Sequence, residues 1–129
     1  MNKREIEHPE KADKSFSTGA YSAGVVAGDW LFISGQGPID FTTGRYELGD
    51  IESETHLTLH NVKKICEQAG CTMDNIVKCT VHLKDINDFD KYNAIYASYF
   101  KGVKPARTTV QSVLGEGIKI EIDAIAILR

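Results

Sequence analysis

The final strand-like segment carries apolar residues on both of its faces, and this limits the folds open to the chain. Residues 119–128 read as a β-strand, in which alternate side chains point to opposite faces. One face then holds Ile120, Ile122, Ala124, Ala126 and Leu128, and the other holds Glu121, Asp123, Ile125 and Ile127. Both faces of such a strand need cover from water.

The other periodicities predict the elements that supply part of this cover. A hairpin turn at Gly28-Asp29 joins two apolar segments, and Gly70 is typical of a helix end. In chain order we predict two strands within residues 24–36, a helix over 51–69, a strand over 77–83, a helix capped by Asn87 that stops near Gly102, and strands over 106–113 and 119–128, with residues 4–7 as a candidate edge strand.

This order predicts an α+β fold in which both helices cover one face of the sheet. The opposite face carries Ile125, Ile127 and one side of the apolar run at residues 30–33, which we expect to be buried on both sides. Another copy of the chain is the simplest cover, so the sequence predicts a homo-oligomer. By strand parity, the residues at or near this uncovered face are Arg107, Thr109, Gln111, Glu121 and Asp123.

Length and charge narrow the function classes. The 129 residues fit one domain, residues 1–129. Fifteen Lys and Arg residues against eighteen Asp and Glu residues give a net charge of −3, and the cations are scattered, so nucleic acid is not an expected partner. Three cysteines without a C-x-x-C spacing, no apolar leader and no membrane-length apolar run predict a cytoplasmic protein that does not engage a membrane.

Arg107 and Glu121 are the candidate functional pair. An arginine fork grips a small carboxylate, and a neighbouring acid can move protons. From the residues alone, an ion pair between them or with a neighbouring subunit is at least as good an interpretation. Asp123, on the same predicted face, is a rival to Glu121.

No metal is predicted. His56 and His60 have a spacing of four residues that suits chelation, but the sequence offers no third ligand nearby. A solvated helix face is the better interpretation of this pair.

Several segments resemble the RidA/YjgF family of reactive enamine/imine deaminases in order and spacing, from about Ser17 to the C-terminus. Pro105-Ala106-Arg107 and Ile120-Glu121-Ile122 are fairly specific, and Ser34-Gly35-Gln36 adds independent support. The residues that carry the resemblance lie at 19–22, 32–40, 105–110 and 120–126.

The resemblance implies a chorismate-mutase-like fold of about six mostly antiparallel strands with two helices on one face. It also implies a homotrimer with active sites between subunits. The activity that the resemblance implies is that of a 2-iminobutanoate/2-iminopropanoate deaminase, a hydrolase that acts on C–N bonds without cofactor or metal. The substrates would be reactive 2-imino and 2-enamino acids, such as 2-iminopropanoate formed from 2-aminoacrylate, and the products 2-keto acids and ammonia.

The resemblance also implies roles for single residues. Arg107 would hold the substrate carboxylate, Glu121 would activate water and manage protons, and Tyr21 would complete the water site. Further pocket contacts would come from Ser34, from Gly35 and from the backbone of Thr109.

Two positions depart from the common family pattern. Ala20 stands where many members have proline, which leaves the loop before Tyr21 freer. Thr109 stands where many have cysteine, which bears on substrate preference more than on activity.

Three other functions remain as alternatives. One is a non-catalytic or regulatory module of the same fold that binds a small carboxylate such as a keto acid. Another is an RNA-acting protein, which the net charge disfavours. The third is an isomerase or a deaminase of larger unsaturated amino acids.

Overall fold

The computed structural model describes residues 2–11 and 19–129. Its strands are β1 (Lys3–Ile6), β2 (Gly24–Ala27), β3 (Trp30–Gln36), β4 (Ile39–Asp40), β5 (Arg45–Tyr46), β6 (Ile76–Leu83), β7 (Ala106–Gln111) and β8 (Ile120–Ile127). The helices are α1 (Ile51–Gln68) and α2 (Phe89–Ser98), with short 3₁₀ turns at Met73–Asn75 and Ile86–Asp88.

Six strands form one sheet in the order β1-β2-β3-β8-β6-β7. Neighbouring strands are antiparallel except β6 and β7, which run parallel. The predicted α+β architecture of six mostly antiparallel strands and two helices is confirmed, with β8 well inside the sheet. β4 and β5 form a separate two-stranded sheet between β3 and α1.

Helix α1 is fixed at its start by two carboxylates. Asp50 accepts a hydrogen bond from the Ser53 backbone N–H at 2.7 Å, which caps the helix. Glu54 is fully buried, and it accepts hydrogen bonds from the backbone N–H groups of Gly49 at 3.0 Å and Lys119 at 2.7 Å. These bonds join the start of α1 to the start of β8.

Helix α2 begins differently from the prediction. Asn87 is not its cap, because the 3₁₀ turn at Ile86–Asp88 comes first and Asp85 accepts the hydrogen bond from the Asn87 backbone N–H at 2.9 Å. The predicted aromatic face does reach the core, since Tyr92 and Tyr96 are buried.

The sheet face away from the helices is uncovered in the single protomer. Leu31 and Ile33 are buried beneath the helices, but Trp30 and Phe32 are 41% and 44% exposed. The run at residues 30–33 is therefore buried on one face of the protomer rather than on both. Val77 is also exposed, because a register shift between β6 and β8 takes it out of the predicted alternation.

None of the helices within residues 2–11 and 19–129 combines the length and the apolar character needed to span a membrane.

The N-terminal strand is followed by a buried histidine. His8 is 3% exposed and stacks on the ring of Phe41, with ring centroids 4.0 Å apart. Burial lowers the pKa of His8 from 6.5 to about 4, against smaller opposing effects from Asn61 and Glu10. The folded protein therefore holds this imidazole neutral through the mildly acidic range.

We predict that His8 makes the fold sensitive to acid. The pKa of His8 is near 6.5 in the unfolded chain and about 4 in the folded protein. The contribution of neutral His8 to stability is therefore fully present above pH 6.5 and is lost as the pH falls toward and through 4. Between pH 7 and pH 4 the native protein should lose roughly 3 kcal/mol more than the His8→Gln variant. Urea unfolding at both pH values measures this difference.

The exposed His56 provides the control, since the His56→Gln variant should lose as much stability as the native protein. Equal losses in the native protein and in His8→Gln would contradict the prediction.

Candidate functional site

A pocket of about 120 Å³ lies where β3 and β8 pass the segment before β2. Three predicted site residues line it together: Tyr21, Gly35 and Glu121. Its wall also includes Gln36, Gly37, Ile39, Tyr46 and Ile118. Asp123, the rival of Glu121, does not line the pocket and instead lies 3.6 Å from His82 Nε2. Of the two rival carboxylates, the structure thus places Glu121 in this pocket, whose wall also includes Glu5 and Glu7.

Gly35 makes room for the Glu121 side chain. A Cβ atom built at Gly35 would lie 2.8 Å from Cδ and Oε2 of Glu121, closer than real Cβ contacts allow. The carboxylate therefore lies directly against the backbone of β3, at a position that only glycine leaves open. This contact explains why a glycine stands at position 35.

Ser34 connects β3 to the segment that carries Tyr21. Its Oγ donates a hydrogen bond to the Ser22 carbonyl oxygen at 2.6 Å, and its backbone N–H donates to the Ala23 carbonyl oxygen at 2.9 Å. These bonds tie β3 to the segment that carries Tyr21, which is itself 52% exposed. In this structure Ser34 holds the Tyr21 segment and is not among the pocket-lining residues.

Arg107 lies on the opposite face of the sheet from the predicted one. β7 pairs in parallel with β6, and Arg107 is the register partner of Cys79, a core residue. Directly paired residues share a face, so Arg107, Thr109 and Gln111 lie on the helix side. Parity alone placed them with Glu121 because it took Ala106, Thr108 and Val110 as the inward side of an antiparallel strand.

The Arg107 guanidinium is held by groups from α2. Its Nη1 donates a hydrogen bond to Asn93 Oδ1 at 2.7 Å. Its Cζ lies 4.8 Å from the ring centroid of Tyr96, with Phe89 and Tyr92 at 5.4 and 5.5 Å. Within the described parts of the chain no carboxylate is ion-paired with it. An oriented, half-buried cation without a neutralising acid is suited to bind a small anion.

Thr109 continues the same surface. Its Oγ1 is 2.6 Å from the Tyr92 hydroxyl oxygen, so the side chain is engaged with α2. Burial raises the pKa of Tyr92, although hydrogen bonding to Thr109 and the charge of Arg107 oppose the shift. The neutral phenol is therefore kept, and Thr109 presents its backbone along the outer strand β7.

Arg107 with its α2 contacts and the Glu121 pocket are two separate half-sites, and a single protomer cannot bring them together. The register places Arg107 opposite Cys79 and Ala124, whereas Glu121 lies opposite His82. Two strand spacings across and three residues along put the Cα atoms of Arg107 and Glu121 about 14 Å apart, on opposite faces. A three- or four-carbon acid cannot touch both side chains across the sheet.

The sequence reasoning missed the support around Arg107. Neither Asn93 nor the aromatic residues Phe89, Tyr92 and Tyr96 were among the predicted site residues. The available signal was a polar residue at helical spacing from three aromatic ones, since residues 89, 92, 93 and 96 share one helix face. No group of three or more potential metal-ligating side chains occurs within residues 2–11 and 19–129.

Comparisons with known proteins agree with the family that the sequence motifs resemble. The family model for Endoribonuclease L-PSP matches residues 12–128. A RutC family protein of Pyrococcus horikoshii is 47% identical over 124 residues, covering 95% of this chain and 97% of the relative. A 2-iminobutanoate/2-iminopropanoate deaminase of Rattus norvegicus is 43% identical over 110 residues, covering 84% and 80%.

A solved structure has the same fold. It is a Rid family protein from Yersinia pestis, with a TM-score of 0.89 and 40% sequence identity over 98% of this chain and 99% of that chain.

We predict that Gly35→Ala displaces the Glu121 carboxylate without destabilising the fold. The new methyl group would overlap the carboxyl group, and the side chain can rotate away. The ¹³C shift of the Glu121 carboxyl carbon should therefore change, while the free energy of unfolding measured with urea stays within about 1 kcal/mol of the native value.

Gly28→Ala is the matched control. Gly28 has a φ of +59° and nothing within 4 Å of a built Cβ, so alanine there should cost about 1 kcal/mol of stability and leave the Glu121 signal in place. An unchanged Glu121 signal in Gly35→Ala would show that the two groups are not in contact.

Proposed function

Because the chain belongs to the Endoribonuclease L-PSP family, which is the RidA/YjgF family, we propose that it hydrolyses reactive 2-imino and 2-enamino acids to 2-keto acids and ammonia. The observation that carries this proposal is the pair of half-sites. One offers a guanidinium that no carboxylate neutralises within residues 2–11 and 19–129, and the other offers a carboxylate beside a tyrosine in a pocket. The 43% identity to a mammalian deaminase supports the choice of reaction.

We propose that the two half-sites meet between protomers of a homotrimer. Trp30 and Phe32 pair across the sheet with Ile127 and Ile125, and these side chains form an apolar surface on the uncovered face. Burying this surface against a second copy would bring the edge strand β7 of one protomer toward the Glu121 pocket of its neighbour. Arg107 and Thr109 would then come from one subunit, and Tyr21, Gly35 and Glu121 from the next.

The chemistry requires orientation and proton transfer. A 2-imino acid has an electrophilic C2 carbon, more so when its nitrogen is protonated. Arg107 would hold the carboxylate of the substrate through two parallel N–H···O bonds, with the backbone of Thr109 beside the imine nitrogen. This grip would fix C2 in front of the Glu121 pocket of the neighbouring subunit.

Hydrolysis would then proceed in two steps. The substrate reacts as its protonated imine: Glu121 accepts a proton from water as the water oxygen bonds to C2 and the C=N electron pair moves to nitrogen, which gives a neutral tetrahedral carbinolamine. Glu121 then gives this proton to nitrogen, the C–N bond breaks, and ammonia leaves as Glu121 takes the hydroxyl proton and the C2 carbonyl forms. Tyr21 would orient the water. A 2-enamino acid would first take a proton at C3 to become the imine.

Hydrolysis of RNA is a poorer fit to this chain. The net charge of −3 does not attract a polyanion, and nucleic-acid affinity is dominated by phosphate contacts. The cation of the site, Arg107, is one guanidinium held by aromatic rings and an amide, and the other cations are scattered along the sequence.

We predict that Arg107→Ala lowers kcat/KM for ammonia release from 2-iminopropanoate by at least ~30-fold, because losing one partner of a desolvated charge pair costs ~2–5 kcal/mol. Arg107→Lys is the matched variant. It keeps the charge but loses the fork, so its rate should fall between those of the native protein and Arg107→Ala. The imine is generated freshly from 2-aminoacrylate, and ammonia is followed continuously.

Native turnover in Arg107→Ala would remove this residue from the mechanism. Pyruvate binding by the native protein, lost in Arg107→Ala but without ammonia release in either, would favour the alternative of a keto acid binding module.

A further inference from the structure

Asn61 is a buried amide in the middle of α1 whose polar atoms all have partners. It is 1% exposed. Its Nδ2 donates to the carbonyl oxygens of Gly37 at 3.0 Å and Ile39 at 2.9 Å, and its Oδ1 lies 3.0 Å from Nε2 of His8. Turning the amide over would set its oxygen against two carbonyl oxygens, so these contacts assign its orientation.

The contacts of His8 define its protonation state. Nδ1 accepts a hydrogen bond from the Glu10 backbone N–H at 3.1 Å, so Nδ1 carries no proton. In the neutral ring the proton is then on Nε2, which donates it to Asn61 Oδ1. The surrounding charged groups are Glu10, His60 and Lys64, and burial outweighs them in lowering the pKa of His8 to about 4. The neutral ring with Nε2–H is the form that fits this site.

These hydrogen bonds form a continuous chain, here called the relay. It runs from the Glu10 N–H through His8 and Asn61 to the carbonyl oxygens of Gly37 and Ile39. It connects the segment after β1 to α1, and α1 to the loop that follows β3.

The relay ends next to the Glu121 pocket. His8, Gly37 and Ile39 all line that pocket, and Gly37 follows Gly35 by two residues. The Gly37 carbonyl also accepts the Ile39 N–H at 2.9 Å, so the amide of Asn61 holds a tight turn directly beside the pocket. Because Gly35 lies against the Glu121 carboxyl, a displaced turn would move the backbone on which that carboxyl rests.

We propose that His8 and Asn61 are positioning residues of the Glu121 half-site, and that neutral His8 holds the Asn61 amide so that it fixes the Gly37–Ile39 turn. Asn61 does not line the pocket, and His8, which does, acts through the Asn61 amide. The proposal rests on the proposed function in one respect only, namely that Glu121 does the chemistry.

Two matched pairs of variants test the relay. Asn61→Asp keeps the acceptor for His8 and removes both donors to the turn, so kcat should fall about tenfold or more while KM changes less than about threefold, since Arg107 still holds the carboxylate. His8→Gln retains a donor at the Nε2 position and should stay within about threefold of native kcat, whereas His8→Asn retains only the Nδ1 position and should match Asn61→Asp.

His60→Gln is the control for general anchoring of the N-terminal segment. His60 precedes Asn61 and binds Glu10 Oε1 at 2.8 Å on a half-exposed surface. Removing this second tie should leave kcat unchanged. If Asn61→Asp does not fold, the contrast between His8→Gln and His8→Asn decides the question.

An NMR readout separates this inference from the deaminase proposal. Long-range ¹H–¹⁵N correlation at pH 7 should show His8 as the neutral Nε2–H tautomer, and the Glu121 carboxyl ¹³C signal should shift in Asn61→Asp and not in His60→Gln. Those results with no ammonia release by the native protein would keep the relay and reject the deaminase. Native kcat in folded Asn61→Asp and His8→Asn, or a protonated or Nδ1–H ring at His8, would overturn the relay.

Discussion

The two groups that the proposed chemistry needs lie on opposite faces of one sheet. β8 turns Ile120, Ile122 and Ala124 toward the helices, so alternation sends Glu121 to the uncovered face. β7 pairs in parallel with β6 and turns Arg107 toward α2. No side-chain rotation can bring a guanidinium and a carboxylate together through a hydrogen-bonded sheet. Any reaction that uses both therefore requires a second copy of the chain.

Each half-site is held by a different kind of contact. Arg107 is oriented by aromatic ring faces and the amide of Asn93, and no acid pairs with its charge in the part of the chain that the structure describes. Glu121 is placed by the absence of a side chain at Gly35. The contrast has a physical basis. A cation that binds an anion must not be neutralised beforehand, and an acid that activates water needs space beside it for that water.

Much of the fold follows from local patterns, and the failures have specific causes. The hairpin at residues 24–36, α1 and the two faces of β8 were predicted because apolar spacing and turn glycines are local signals. The face of Arg107 was predicted wrongly because a strand with apolar or threonine residues on both sides does not reveal which side packs against the core. Val77 left its predicted face at a register shift, which periodicity cannot show. The His8–Asn61 contact joins residues 53 positions apart, and no local pattern marks it.

The most direct measurement is activity in mixed oligomers of two inactive variants. Arg107→Ala and Glu121→Gln subunits, carrying different tags, are co-expressed and purified through both tags. If each site takes Arg107 from one protomer and Glu121 from the next, every mixed trimer has one interface in three that combines the two intact residues, which gives about a third of the native ammonia release. A mixture no more active than its separate components would contradict the account, because it would place both residues in the site of a single protomer.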